Sequence, residues 1–160
     1  MKIEIICIGR LKEEAESQIV ARYIQRFSPV GGPLGFGAIG MTEIGESKAR
    51  TAAQRMAAEA AEISRKISAG AHIVACDRNG KTLDSQTLAD YLARLRDDGA
   101  RLLYIVIGGP DGLDPSIKER AGLTLSFGRM TLPHGLARAV LAEQLYRAAT
   151  ILAGHPYHRA

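Results

Sequence analysis

Residues 101–113 read Arg-Leu-Leu-Tyr-Ile-Val-Ile-Gly-Gly-Pro-Asp-Gly-Leu. The run Arg101–Ile107 is the strongest strand signal in the chain. It is too short for a helix, rich in β-branched residues, and apolar without alternation, as expected of a strand buried on both faces. Glycines and a proline end it at Gly108, Gly109, Pro110 and Gly112. A strand covered on both faces needs helices above and below, so the flanking sequence should alternate helix and strand.

It does so in both directions. Upstream, Leu88, Tyr91, Leu92 and Leu95 form one stripe of a helix over Ser85–Asp98, stopped at Gly99. His72–Cys76 is a strand, and Asn79-Gly80 a tight turn. The Ala-rich stretch Ser47–Ala69 predicts a long helix ending at Gly70. Ile3–Ile8 is a first buried strand, followed by helical spacing over residues 11–27. The Gly- and Pro-rich segment 28–40 reads as a loop leading into a weak strand around Phe36–Ile44. Downstream, Asp114-Pro115 opens a short helix, with Asp as N-cap and Pro at the first helical position. Leu123–Phe127 is a last strand and Pro133–Ala153 a last helix, stopped at Gly154. The expected fold is α/β: one domain over residues 1–160, with a mostly parallel sheet and helices on both faces.

Composition narrows the function classes. The chain has 160 residues, 46% hydrophobic and 24% charged, with a net charge of +4. These are globular values, not those of a disordered or disulfide-rich chain. No stretch approaches the ~20 apolar residues of a membrane span, and residues 1–17 lack the pattern of a secretory signal. Cys7 and Cys76 both sit in apolar runs and read as buried thiols of a cytoplasmic protein. Arginines outnumber lysines 15 to 6. Four of them (Arg129, Arg138, Arg147, Arg159) fall between Gly128 and Ala160 against one acid, Glu143, so most of the excess charge lies there.

Open α/β sheets bind ligands beyond the carboxyl ends of their strands. Three loops qualify: Cys76–Gly80, Gly108–Gly112 and Phe127–His134. Neither G-x-G-x-x-G nor G-x-x-x-x-G-K-[ST] is present, so a dinucleotide or phosphate-loop site is not indicated. His134 follows Pro133 at a helix start, where outward-pointing N–H groups disfavour a positive imidazole and leave a neutral one able to accept a proton. His155-Pro-Tyr-His158 with His134 is one conceivable zinc set. No acid or cysteine is spaced with them and Pro156 breaks helical spacing, so no metal is expected. An extended tail carrying aromatic and basic groups suits a base and a phosphate better.

The ordered set Ile107–Leu113, Leu125-Ser-Phe-Gly-Arg-Met-Thr-Leu-Pro-His134, Arg138, Leu141-Ala-Glu-Gln-Leu-Tyr-Arg-Ala148 and Gly154-His-Pro-Tyr-His-Arg159 resembles the ribosomal RNA large-subunit methyltransferase H family. These are small SPOUT-class pseudouridine N3-methyltransferases. The start of the chain and the turn Asp77-Arg-Asn-Gly-Lys-Thr82 are similar too. The resemblance implies a SPOUT fold with a C-terminal trefoil knot and S-adenosylmethionine as cofactor. Cys76, Gly108 and the run Phe127, Gly128, Arg129, Met130, Thr131, Leu132 would hold it. It implies a homodimer in which one tail completes the other subunit's site, and a pseudouridine of 23S rRNA in the assembled ribosome as substrate. His134 or Tyr157 would accept or relay the N3 proton, and Arg159 would stabilise charge on the ring. Arg129, Arg138 and Arg147 would contact rRNA phosphates or hold the dimer together, and His155 and His158 would contact RNA. Cys76 stands where leucine is usual in the family, and Gly128 where serine is common, so those contacts are expected to be apolar or through the backbone. The competing reading is a non-catalytic RNA- or ribosome-binding module on the same fold.

Overall fold

The computed structural model describes residues 1–12 and 14–158. Five strands, β1 (Lys2–Ile8), β2 (Ile39–Ile44), β3 (His72–Thr82), β4 (Leu102–Ile107) and β5 (Leu123–Ser126), form one sheet in the order β2-β1-β4-β3-β5. Every pairing is parallel. The helices are α1 (Glu14–Gly31), α2 (Ala52–Lys66), α3 (Ser85–Asp97), α4 (Pro115–Glu119) and α5 (His134–Leu152).

The apolar runs are continuous because each strand feeds two cores. Ile3, Ile5, Cys7, Leu103, Ile105, Ile107, Val74 and Leu125 pack with Phe27 of α1, Leu88 and Leu92 of α3, and Leu141 and Leu145 of α5. Their neighbours Ile6, Ile8, Ile73, Ala75, Tyr104 and Val106 pack on the other face with Ala60 and Ile63 of α2 and Ile117 of α4. Period-two alternation sends adjacent residues to opposite faces, so a strand with helices on both sides must be apolar throughout.

Three local expectations are corrected. Helix α1 does not stop at residue 27 but runs through Pro29 to Gly31. Pro29 forgoes one helical hydrogen bond, to the carbonyl of residue 25, and the extension is held by the packing of Phe27 and Val30 against the core. Gly31 is required there, because a Cβ would lie 2.8 Å from the Phe27 ring. Helix α2 begins at Ala52, not Ser47, because Thr51 and Gln54 form a reciprocal capping box. Strand β3 extends beyond Cys76: after an irregularity between Cys76 and Lys81 it pairs with β5 again through Lys81 and Thr82. The Asp77 carboxylate accepts the backbone N–H of Asn79 inside that irregularity, at 2.8 Å. Asp114 caps α4 and Pro115 opens it, as read from the sequence.

Cys7 and Cys76 both lie in register with Ile107, on the two strands that flank β4. Two strand spacings separate them by about 10 Å, beyond disulfide reach.

Arg138 is corrected as well. Expected to meet RNA, it is 1% exposed and among the largest buried side chains. Its guanidinium donates to the Glu43 carboxylate at 2.6 Å and to the carbonyls of Ile8 and Gly9 at 3.0 and 2.9 Å. Glu43 also accepts the backbone N–H of Leu11. Arg138 thus ties α5 to the ends of β1 and β2, where no phosphate reaches it. The substitution R138M strands two buried carbonyls and one carboxylate. It should lower the unfolding free energy by about 3 kcal/mol, measured by urea denaturation.

Candidate active site

Strands β4, β3 and β5 are consecutive in the sheet and run the same way, so the loops that follow them emerge side by side. Their floor is apolar: Cys76, Ile107, Leu125 and Phe127 belong to one core cluster. Burial pushes the Cys76 thiol far up, so it stays neutral and contributes surface, not a nucleophile.

The loop after β4 is a closed turn. Gly112 donates its N–H to the Gly109 carbonyl at 2.9 Å, with Pro110 and Asp111 at the tip. A Cβ on Gly108 would meet the Gly112 carbonyl carbon at 2.8 Å, so glycine is needed here for the chain's own closure. Arg55 of α2 clamps the tip, its Nε and Nη2 donating to the two Asp111 carboxylate oxygens at 2.7 and 2.9 Å. That bidentate pair holds the Asp111 carboxyl below its usual range.

The other two loops are sewn together by Ser126. Its hydroxyl contacts the Arg78 carbonyl at 3.1 Å and the Gly128 carbonyl at 3.0 Å, and accepts the Gly128 N–H at 3.1 Å. Gly128 has φ +121°, and a Cβ built there meets nothing within 4 Å, so open space adjoins that backbone. Asp77 is fixed from α4 by Lys118 at 3.1 Å. Burial pushes its carboxyl up, but the Asn79 N–H and Lys118 outweigh this and hold it below the usual range. Beyond Gly128, Arg129, Met130 and Thr131 are exposed and Leu132 is half-buried.

Helix α5 starts at His134, with Pro133 as a cap that offers no side-chain hydrogen bond. His134 is half-buried at the end of the third loop. The Glu16 carboxylate of α1 packs against Gly135, where a Cβ would lie 2.9 Å from its oxygen. A carboxylate there complements the positive end of the helix.

The tail lies elsewhere. The Tyr157 hydroxyl donates to Glu143 at 3.0 Å and lies 3.4 Å from the Tyr23 hydroxyl. Its ring packs on Tyr146, centroids 4.7 Å apart, with the Arg147 guanidinium 4.8 Å from its own centroid. Glu143 is nine residues beyond His134, or ~14 Å along a helix. Within one protomer, His134 and Tyr157 are therefore not brought together. Burial, then the bonds to Tyr23 and Glu143, push the Tyr157 phenol up, so it holds its proton in this seat. His155 is exposed and His158 half-buried, both past the far end of α5 from His134. Among the described residues, no three His, Cys, Asp or Glu side chains group as metal ligands do. Arg159 lies outside the described residues.

A family model described as "Predicted SPOUT methyltransferase" matches residues 1–158. The chain belongs to the SPOUT methyltransferase family. It is similar over its whole length to two proteins named ribosomal RNA large subunit methyltransferase H. One, from Brucella anthropi, is 49% identical over 160 residues; the other, from Bradyrhizobium diazoefficiens, is 50% identical over 160 residues. All of this chain and all of each relative are covered. The fold is shared with a probable methyltransferase from Bordetella pertussis Tohama I, at TM-score 0.54 and 18% identity, covering 92% of this chain and 95% of that one. A probable methylase family protein from Haemophilus influenzae matches at TM-score 0.52 and 12% identity, over 99% of this chain and 70% of its own.

In this SPOUT methyltransferase, several residues at or near the site escape a linear reading. Glu143 and Arg147 stand four apart in the favourable order for a helical ion pair, which is a legible signal. Arg55 and Asp111 are 56 residues apart, and Glu16 reaches α5 from α1, so neither contact has a local signature. The Asp111 carboxyl has its folded pKa depressed. Its contribution is therefore present above the unfolded value and is lost as pH falls through the folded one. Protection of the Gly112 amide should hold from neutral pH to about 4 and decline below it. In R55L that amide should already be less protected at neutral pH and should lose this pH dependence, with global stability nearly unchanged. Hydrogen exchange measures both.

Proposed function

We propose that this SPOUT methyltransferase methylates N3 of a pseudouridine in 23S rRNA on the assembled ribosome. The donor is S-adenosylmethionine, and the protein works as a cytoplasmic homodimer whose C-terminal segment forms a trefoil knot. The observation that carries this reading is the convergence of three strand-end loops over an apolar floor, in a chain alike end to end with named large-subunit rRNA methyltransferases.

The site suits such a donor. Cys76 and Phe127 offer apolar surface and Gly128 offers backbone beside open space, while Gly108 and the run Arg129, Met130, Thr131, Leu132 would complete the set that holds the donor. Once bound, S-adenosylmethionine supplies a methyl group on a sulfonium, a good electrophile. The chain's own tasks are to align the uracil ring in line with that methyl and to take the N3 proton. His134, which lies where the third loop meets α5, would take the N3 proton as the ring accepts the methyl group. Tyr157, which keeps its proton in its seat, orients the tail, and Arg159 balances charge on the ring.

Two observations support a dimer. Leu136 and Val140, four apart on α5, are 44% and 36% exposed, as is fitting for a face that a second copy covers. The tail sits ~14 Å along α5 from its own His134, so it is better placed to serve a partner's site. His155 and His158 then lie beside that site, where they meet rRNA, while Arg147 is held by Glu143 and the Tyr157 ring.

Ribosomes from cells lacking the protein should lose one methylated pseudouridine by mass spectrometry and regain it with the pure protein and S-adenosylmethionine. An unchanged modification pattern would reject the substrate. H134A should lower the turnover rate by about 100-fold or more, with cofactor binding by calorimetry retained. Absence of S-adenosylmethionine binding would favour a non-catalytic module.

A further inference from the structure

Glu143 is the one acid between Gly128 and Ala160. Its side chain is 18% exposed, on a helix otherwise rich in apolar residues. A carboxylate withdrawn from water this far must be matched by donors, and it has four. Arg147 donates to one oxygen from Nε at 2.9 Å and from Nη2 at 2.6 Å. Tyr157 donates to the same oxygen at 3.0 Å. Gln144 donates to the other at 2.6 Å, and in turn accepts from Ser85 of α3 at 2.7 Å. One carboxylate thus connects α3, α5 and the tail.

After α5 the described residues, through His158, form no helix or strand. The tail's backbone is turned by His155 N–H to the Thr150 carbonyl at 2.9 Å and by Tyr157 N–H to His155 Nδ1 at 3.1 Å. These bonds shape the tail without fixing it to the helix face. Among the described residues, the hydrogen bond from Tyr157 to Glu143, its contact with the Tyr23 hydroxyl and the packing of its ring on Tyr146 and Arg147 do that. Glu143 also holds the Arg147 fork that packs on the ring. Two of the tail's side-chain anchors, the hydrogen bond and the Arg147 contact, therefore pass through this acid, while the Tyr146 and Tyr23 contacts do not.

We propose that Glu143 is a positioning residue for methyl transfer: it seats Tyr157 and Arg147 so that the tail, as far as His158, is held in one arrangement for the reacting base. This rests on the reading that the tail takes part in the reaction. Glu143 touches neither reactant and acts through the two side chains it holds. A loss of its contacts should therefore appear in the turnover rate, since small misplacements of a reacting arrangement slow chemistry far more than binding.

The test is steady-state methylation of ribosomes isolated from cells lacking the protein, using full-length E143A, E143Q and Y157F and a chain ending at Gly154. E143A should lower kcat about 100-fold, with the KM for ribosomes and the affinity for S-adenosylmethionine unchanged. E143Q keeps an oxygen for Tyr157 but loses the charge that holds Arg147, and should fall between E143A and the unaltered chain, as should Y157F. E143Q is isosteric and carries the test should E143A fail to fold. Wild-type kcat in E143Q and E143A, with the truncated chain inactive, overturns the proposal and leaves the role of the tail standing. A truncated chain as active as the full one overturns the role of the tail itself. Equal losses in kcat, cofactor affinity and dimer stability would make Glu143 a structural residue and also overturn the proposal.

Discussion

The site depends on β3 being held between β4 and β5 by parallel pairing. Parallel neighbours lie about 4.8 Å apart, so three consecutive strands present their carboxyl ends within about 10 Å. Loops that are 20 to 50 residues apart in the chain are thereby placed side by side, with Cys76, Ile107 and Leu125 as their common floor. The irregularity between Cys76 and Lys81 adds to this. It raises a short arch from β3 while the strand re-pairs with β5 on either side, and Ser126 ties the arch to the third loop. The arch passes so near β5 that a Cβ on Gly80 would lie 2.6 Å from the Thr124 carbonyl oxygen.

Charge is used inward as well as outward. The arginines of the last third of the chain look alike in sequence, yet their surroundings differ. Arg138 is buried and satisfies carbonyls at the end of β1. Arg147 is bound to Glu143 and packed on an aromatic ring. Arg129 stands in solvent beside the site. A net positive charge therefore overstates what a polyanion meets, because part of it is spent in holding α5 and the tail in place. Similarly, Asp77 and Asp111 are neutralised by Lys118 and Arg55, so the loops carry fewer free acids than their sequences suggest.

The fold was legible where a local pattern reports burial directly. The run Leu102–Ile107 announced a strand covered on both faces, and the Asp114-Pro115 start of α4 announced itself through capping. It was less legible where burial overrides propensity. Pro29 and Gly31 read as a loop, yet α1 continues through them because Phe27 and Val30 are held by the core. The site was partly legible for the same reason. Glycines after a strand mark a loop close to a ligand, but the role of Gly108 in closing its own turn needs the position of Gly112, which periodicity does not report.

From its sequence alone the chain is an α/β protein with parallel strands, three candidate loops and a basic, aromatic tail that resembles one methyltransferase family. Those features follow from short-range rules: side-chain period, capping, turn chemistry and motif order. Tertiary structure alone decided that Arg138 is internal, that Arg55 clamps the turn at Asp111, and that Tyr157 sits on Glu143 away from its own His134. These are long-range contacts. A side chain's partners there depend on which surfaces the packed sheet and helices bring together, and no local stretch of sequence encodes that distance.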